Sequence, residues 1–140
     1  MSVRVCDRNQ SKCEFVYNAL QISLLVNERM TKYANKISNS KRYKHFVKTQ
    51  TYGMWKSPIL FANNVYYYSL QANKMRETNK RSNYLSKASE NLALLENSIQ
   101  QFYSQFRGIV KDKFIMLLAD KVDIQRKLLG GQFNFARNIS

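Results

Sequence analysis

Residues 85–106 read LSKASENLALLENSIQQFYSQF. Their apolar members Leu85, Ala88, Leu92, Leu95, Ile99, Phe102 and Phe106 step by three, four, three, four, three and four, with Tyr103 alongside. An α-helix brings that spacing onto a single stripe, whereas a strand would need strict alternation. A stripe this regular has to be covered by other helices, in antiparallel bundle or coiled-coil packing.

Downstream, Phe114, Leu117, Leu118, Val122, Ile124, Leu128 and Leu129 predict a helix from about Val110 to Leu129. Gly130-Gly131 reads as its stop, because glycine commonly follows a helix end in the left-handed conformation. Residues 132–140 then form a C-terminal tail, in which Phe133 and Phe135 alternate with polar residues and either dock on the bundle or lie free.

Upstream, Ser11-Lys12-Cys13-Glu14 has the capping-box pattern that satisfies the open N–H groups of a helix start. Phe15, Ala19, Ile22, Val26, Met30 and Tyr33 follow on one face. The first helix is therefore expected over Ser11 to Ile37, ended by Ser38-Asn39-Ser40. Tyr43, Phe46, Val47 and Gln50 continue a helical period, as do Ile59, Ala62, Val65, Tyr66 and Ser69. Between them lie Gly53 and Pro58. Proline costs an uninterrupted helix about 3 kcal/mol, so the segment either kinks or breaks there, with Ser57 and Pro58 able to open a fresh helix.

Four segments with short links give an all-α, up-down four-helix bundle over residues 11–131, preceded by a polar arm at 1–10. Four glycines and one proline in 140 residues are too few for the turns of a β-sandwich or barrel.

Charge is the outlying property. Lys and Arg total 23 against 9 acids, for a net charge of +14. Solubility alone is served by about 2 to 8 charges, so a polyanionic partner is the expected compensation. No acid occurs between Glu28 and Glu77. Arg29, Lys32, Lys36, Lys41, Arg42, Lys44, Lys48, Lys56, Lys74 and Arg76 lie in that interval, and Lys80, Arg81 and Lys87 follow it. All of these but Lys56 are the twelve candidate nucleic-acid-binding residues, since a base at a phosphate displaces condensed counterions. Tyr43, Phe46, Tyr52, Trp55, Phe61 and the run Tyr66-Tyr67-Tyr68 accompany them. Such rings stack on unpaired bases, although most here fall on core positions. Three consecutive tyrosines cannot share one face, so Tyr67 or Tyr68 points to another subunit, to solvent or to ligand.

Catalytic patterns are missing. His45 is the single histidine, the carboxylates are scattered, and Gly53 and Gly108 stand alone rather than in a phosphate loop. Cys6 and Cys13 match no zinc spacing and read as free thiols of a reducing compartment. The expectation is a non-enzymatic protein with no metal and no cofactor. Met1 to Arg8 lack the apolar core of a signal peptide, and the charge-free run Ser57 to Asn73 is too short and polar to span a membrane.

Three stretches carry a family resemblance. Asp7-Arg8-Asn9-Gln10-Ser11-Lys12-Cys13-Glu14-Phe15 resembles the NQSKLEF opening of accessory variability determinant proteins of diversity-generating retroelements. Ala72-Asn73, the basic stretch with Arg81 and Tyr84, and Ala88 resemble that family's passage from its second to its third helix. Leu128-Leu129-Gly130-Gly131 resembles its closing LLxG. The family also includes four-helix proteins encoded in ribosomal RNA intervening sequences. This chain lacks the family's proline around Met75 to Thr78 and has Gln132 where a tryptophan is common. The resemblance implies a homopentameric barrel with a basic exterior, in the cytoplasm of a bacterial or phage-infected cell. It implies binding to a reverse transcriptase and its template RNA in support of mutagenic cDNA synthesis. The alternative is a helical protein-interaction or structural bundle with an acidic protein partner.

Overall fold

A computed structural model describes residues 10–43 and 53–139 of the chain. Within them are four helices: α1 (Gln10–Asn39), α2 (Lys56–Lys74), α3 (Thr78–Gln105) and α4 (Asp112–Ile139). Each packs on its chain neighbour and α4 closes against α1, giving a four-helix bundle with no strand among the described residues. Cross-helix contacts set the directions. Ser23 of α1 meets Asn63 of α2, and the ends join as Cys13 with Asn73 and Phe15 with Gln125. Sequential helices run antiparallel.

The heptad of α3 is the spine of the core. Leu85, Ala88, Leu92, Leu95, Ile99, Phe102 and Phe106 are all buried. They meet Phe15, Ala19, Ile22, Val26, Met30 and Tyr33 of α1, all buried as well. Tyr33 sets its ring edge-on to Phe114 at 5.6 Å and lies 6.4 Å from Phe102.

α1 begins at Gln10, so Ser11 lies within the helix rather than at its cap. α2 starts afresh at Lys56, with Trp55 as its N-cap and Pro58 in the first turn. A proline there sacrifices no intrahelical hydrogen bond, but Ser57 lies inside the helix rather than at its cap, and Pro58 is its third residue rather than its first. The period at Phe46, Val47 and Gln50 lies outside the described residues.

Two further expectations are corrected. Gly130-Gly131 does not stop α4, which continues to Ile139, and neither glycine has a positive φ. Two helical glycines cost about 1 kcal/mol each. Packing offsets that cost: Leu129 and Gln132 are buried, Phe133 lies against the core, and Gln132 accepts a hydrogen bond from Arg81. Cys13 is not a free thiol. It is buried and disulfide-bonded, and the chain's only other cysteine, Cys6, lies outside the described residues. A spacing that excludes zinc places no bar on a disulfide.

Polar groups inside the bundle are matched across helices. Gln125 and Ser69 are fully buried. Asn18 donates to the Gln125 side chain and to the Lys121 carbonyl, both at 2.9 Å. Asn64 donates to Asn91 at 3.0 Å, pinning α2 to α3. No helix among the described residues is long and apolar enough to cross a membrane.

Candidate nucleic-acid interface

The bundle splits the candidate basic residues into two groups. Lys32, Lys36, Lys41 and Arg42 are exposed at the C-terminal end of α1 and the turn after it, with Arg29 half-buried one turn before. Lys74, Arg76 and Lys80 are exposed at the opposite end, around the α2–α3 link, and Lys87 is exposed further along α3, beside Tyr68. The 19 residues of α2 separate the ends by about 28 Å at 1.5 Å rise per residue. Lys44 and Lys48 lie outside the described residues, as do His45, Phe46 and Tyr52.

The first end also gathers bases from distant parts of the sequence. Tyr43 packs edge-on against Phe106 at 5.3 Å, and the Lys111 N–H donates to the Tyr33 hydroxyl at 3.4 Å. These contacts bring the α3–α4 link beside the α1 terminus. Lys56, Arg107, Lys111 and Lys113 are thereby added, all exposed. Arg107, Lys111 and Lys113 were not singled out from the sequence, because they fall outside the acid-free interval. The signal that could have found them is their place in a helix link, which must lie at an end of the bundle.

Acids at this end are few. Asp112, in the first turn of α4, accepts a hydrogen bond from Tyr103. That bond, with burial and the charge of Asp112, raises the Tyr103 phenol above its ordinary value. Glu28 pairs with Lys32 at 3.7 Å, and at the other end Glu77 pairs with Lys80 at 3.5 Å. Both pairs are solvent-exposed neighbours along a helix and stabilise by only a few tenths of a kcal/mol (~0.3–0.5). Further acids lie on the α3–α4 side, where Glu96 and Asp123 flank Arg126 and its hydrogen bond to Glu96 raises the guanidinium above its usual value. α2 carries no acid at all.

Arg81 stands apart from the other candidates. It is half-buried, donating to the Ala72 carbonyl at 3.2 Å and to Gln132, and burial pulls its guanidinium below the usual arginine value. Its reach joins α2, α3 and α4 at one end, which is a structural task.

The aromatic candidates divide as well. Tyr43, Trp55, Phe61, Tyr66 and Tyr68 pack in or against the core, and Tyr67 is exposed. Arg42 lies over the Tyr43 ring at 5.2 Å and Arg107 over Tyr103 at 5.7 Å. Lys87 sits over both Tyr68 and Tyr84, at 5.6 and 5.8 Å. No group of three or more potential metal ligands occurs among the described residues. No protein-family model, curated protein or solved structure matches the chain.

Proposed function

We propose that this chain is a non-enzymatic nucleic-acid-binding accessory protein of a diversity-generating retroelement. In this reading it binds the reverse transcriptase and its template RNA and supports mutagenic cDNA synthesis, assembling as a homopentamer in the cytoplasm. The observation that carries the nucleic-acid part is the basic end of the bundle. Lys36, Lys41, Arg42, Lys56, Arg107, Lys111 and Lys113 converge there from three separate stretches of sequence. Convergence of seven like charges is unfavourable for the isolated fold, and a phosphate backbone relieves it through counterion release. Retroelement, polymerase and pentamer rest on the resemblance of Asn9 to Phe15, Ala72 to Ala88 and Leu128 to Gly131.

A structural bundle with an acidic protein partner is the competing reading. The outward-facing Leu24, Leu60, Met116, Leu117 and Ile124 support a protein contact of some kind, which self-assembly also satisfies. Binding to a labelled structured RNA and to duplex DNA, titrated over salt, separates the two. Tight binding that falls steeply with salt supports the nucleic-acid reading. A log–log slope near −4 on single-stranded RNA corresponds to roughly six phosphates neutralised, at about 0.7 counterion each. Charge reversal of Lys41, Arg42, Lys44 and Lys48 together then flattens that slope. Absence of binding at low salt sinks the reading and turns attention to the acidic protein.

A further inference from the structure

The run Tyr66-Tyr67-Tyr68 lies within one turn of α2, and the three rings meet different surroundings. Tyr66 and Tyr68 pack against the core, whereas Tyr67 is 52% exposed. Its ring is not loose. It sets against Tyr68 at 5.3 Å with the planes 68° apart, and Tyr68 in turn stacks on Tyr84 of α3 at 6.3 Å and 28°. An aromatic ladder thus runs from the α2–α3 groove out to solvent, with Tyr67 as its outer rung.

Positive charge lies along this ladder. Lys87 holds its ammonium over both inner rings. Lys74 is exposed seven residues after Tyr67, about 10 Å further along the same side of the helix. A lone exposed tyrosine needs no explanation. A preorganised exposed ring on a helix that carries no carboxylate, with Lys74 on its own helix and Lys87 beside it on α3, has the chemistry of a single-strand site: a ring for a base and cations for the flanking phosphates.

We propose that Tyr67, backed by Tyr68 and Tyr84 and flanked by Lys74 and Lys87, is a stacking platform for an unpaired base, so that the α2–α3 edge binds single-stranded nucleic acid. This rests on the nucleic-acid reading above and adds to it a site and a strandedness. Duplex bases are already stacked on one another and offer the ring no face, so the platform discriminates between single and double strands without reading sequence.

The test compares wild type, Tyr67→Ala and Tyr67→Trp for binding to a labelled oligouridine, an oligodeoxythymidine and a duplex of equal length, each over a salt series. Tyr67→Ala is expected to weaken both single strands about tenfold, leave the duplex within about twofold, and keep the single-strand salt slope. Tyr67→Trp is expected to restore single-strand affinity. Loss on only one of the two single strands assigns the platform to that kind of strand and still supports it. The proposal is overturned if Tyr67→Ala binds single strands as wild type does, or weakens single strand and duplex equally. It is overturned also if the substitution changes the assembly state in sedimentation, which places Tyr67 between copies of the chain. If wild type binds neither strand form, the nucleic-acid reading itself fails; if wild type binds and Tyr67→Ala matches it, only the platform fails.

Discussion

The Gln125 amide of α4 donates to the backbone carbonyl of Phe15 in α1 at 2.8 Å, inside a core that excludes water from both. The same amide nitrogen lies 3.4 Å from the Ser69 hydroxyl, and its carbonyl oxygen accepts from Asn18 at 2.9 Å. One side chain therefore joins three helices, and its bonds form together only when α1, α2 and α4 share a single register. Gln125→Ala would leave the Asn18 amide with one partner fewer and open a cavity. The expected loss is about 2–4 kcal/mol in urea unfolding. Gln125→Met, which fills the space without the bonds, should lose about 1–3 kcal/mol. A change below about 0.5 kcal/mol for either would mean that this network adds nothing to stability.

Leu94 and Leu95 are adjacent and have opposite fates. Leu95 is fully buried in the stripe of α3, and Leu94 is 44% exposed. Leu95→Ala should cost about 2–5 kcal/mol, and Leu94→Ala within about 1 kcal/mol. Thermal melts of the two variants side by side check the phase of the helix. Equal losses would mean that the stripe is rotated.

That phase was legible because the spacing of Leu85 to Phe106 is unbroken and apolar throughout. Legibility failed wherever a local rule competed with packing. Gly130-Gly131 has the composition of a stop, yet burial of Leu129 and Gln132 carries α4 onward. Gln125 occupies a core position in α4 that an apolar count passes over, while Leu117 and Ile124, apolar members of the same helix, are exposed. Composition likewise found the basic excess but not its partition. The acid-free interval runs continuously from Glu28 to Glu77, and the antiparallel turn of α1 into α2 sends its two halves to opposite ends. Lys111 and Lys113 join one of those ends only through the closure of α4 on α1, a contact between residues far apart in sequence.

Tyr103 provides a pH signature for the α3–α4 link. Its phenol donates to Asp112, and the bond raises the phenol above its usual value of about 10. A group whose folded value is raised contributes stability in full below the unfolded value, and that contribution disappears as pH rises through the folded one. The link should therefore hold to about pH 10 and loosen above it. Ultraviolet titration of tyrosinate should show a late-ionising component that is absent in Tyr103→Phe and shifts down in Asp112→Asn. An unchanged titration in both variants would show that the bond does not form.

The two basic ends predict unequal losses. Reversing Lys41, Arg42, Lys111 and Lys113 to Glu removes charge from a cluster fed by two helix links, whose neighbouring acid, Asp112, is already engaged by Tyr103. Reversing Lys74, Arg76, Lys80 and Lys87 acts on an end where Glu77 already meets Lys80. On a structured RNA the first set should flatten the log–log salt slope by up to about 3, at about 0.7 per phosphate contact on unpaired segments. The second set should flatten it less, and its loss should fall mainly on single strands, where Lys74 and Lys87 flank Tyr67. Arg81→Ala belongs to neither set. Its guanidinium is spent on Ala72 and Gln132, so its loss should lower the melting temperature and leave the slope unchanged. Identical slopes for the two charge-reversed proteins would mean that phosphate binding is spread over the whole surface, and that the convergence at the α1 terminus has no part in it.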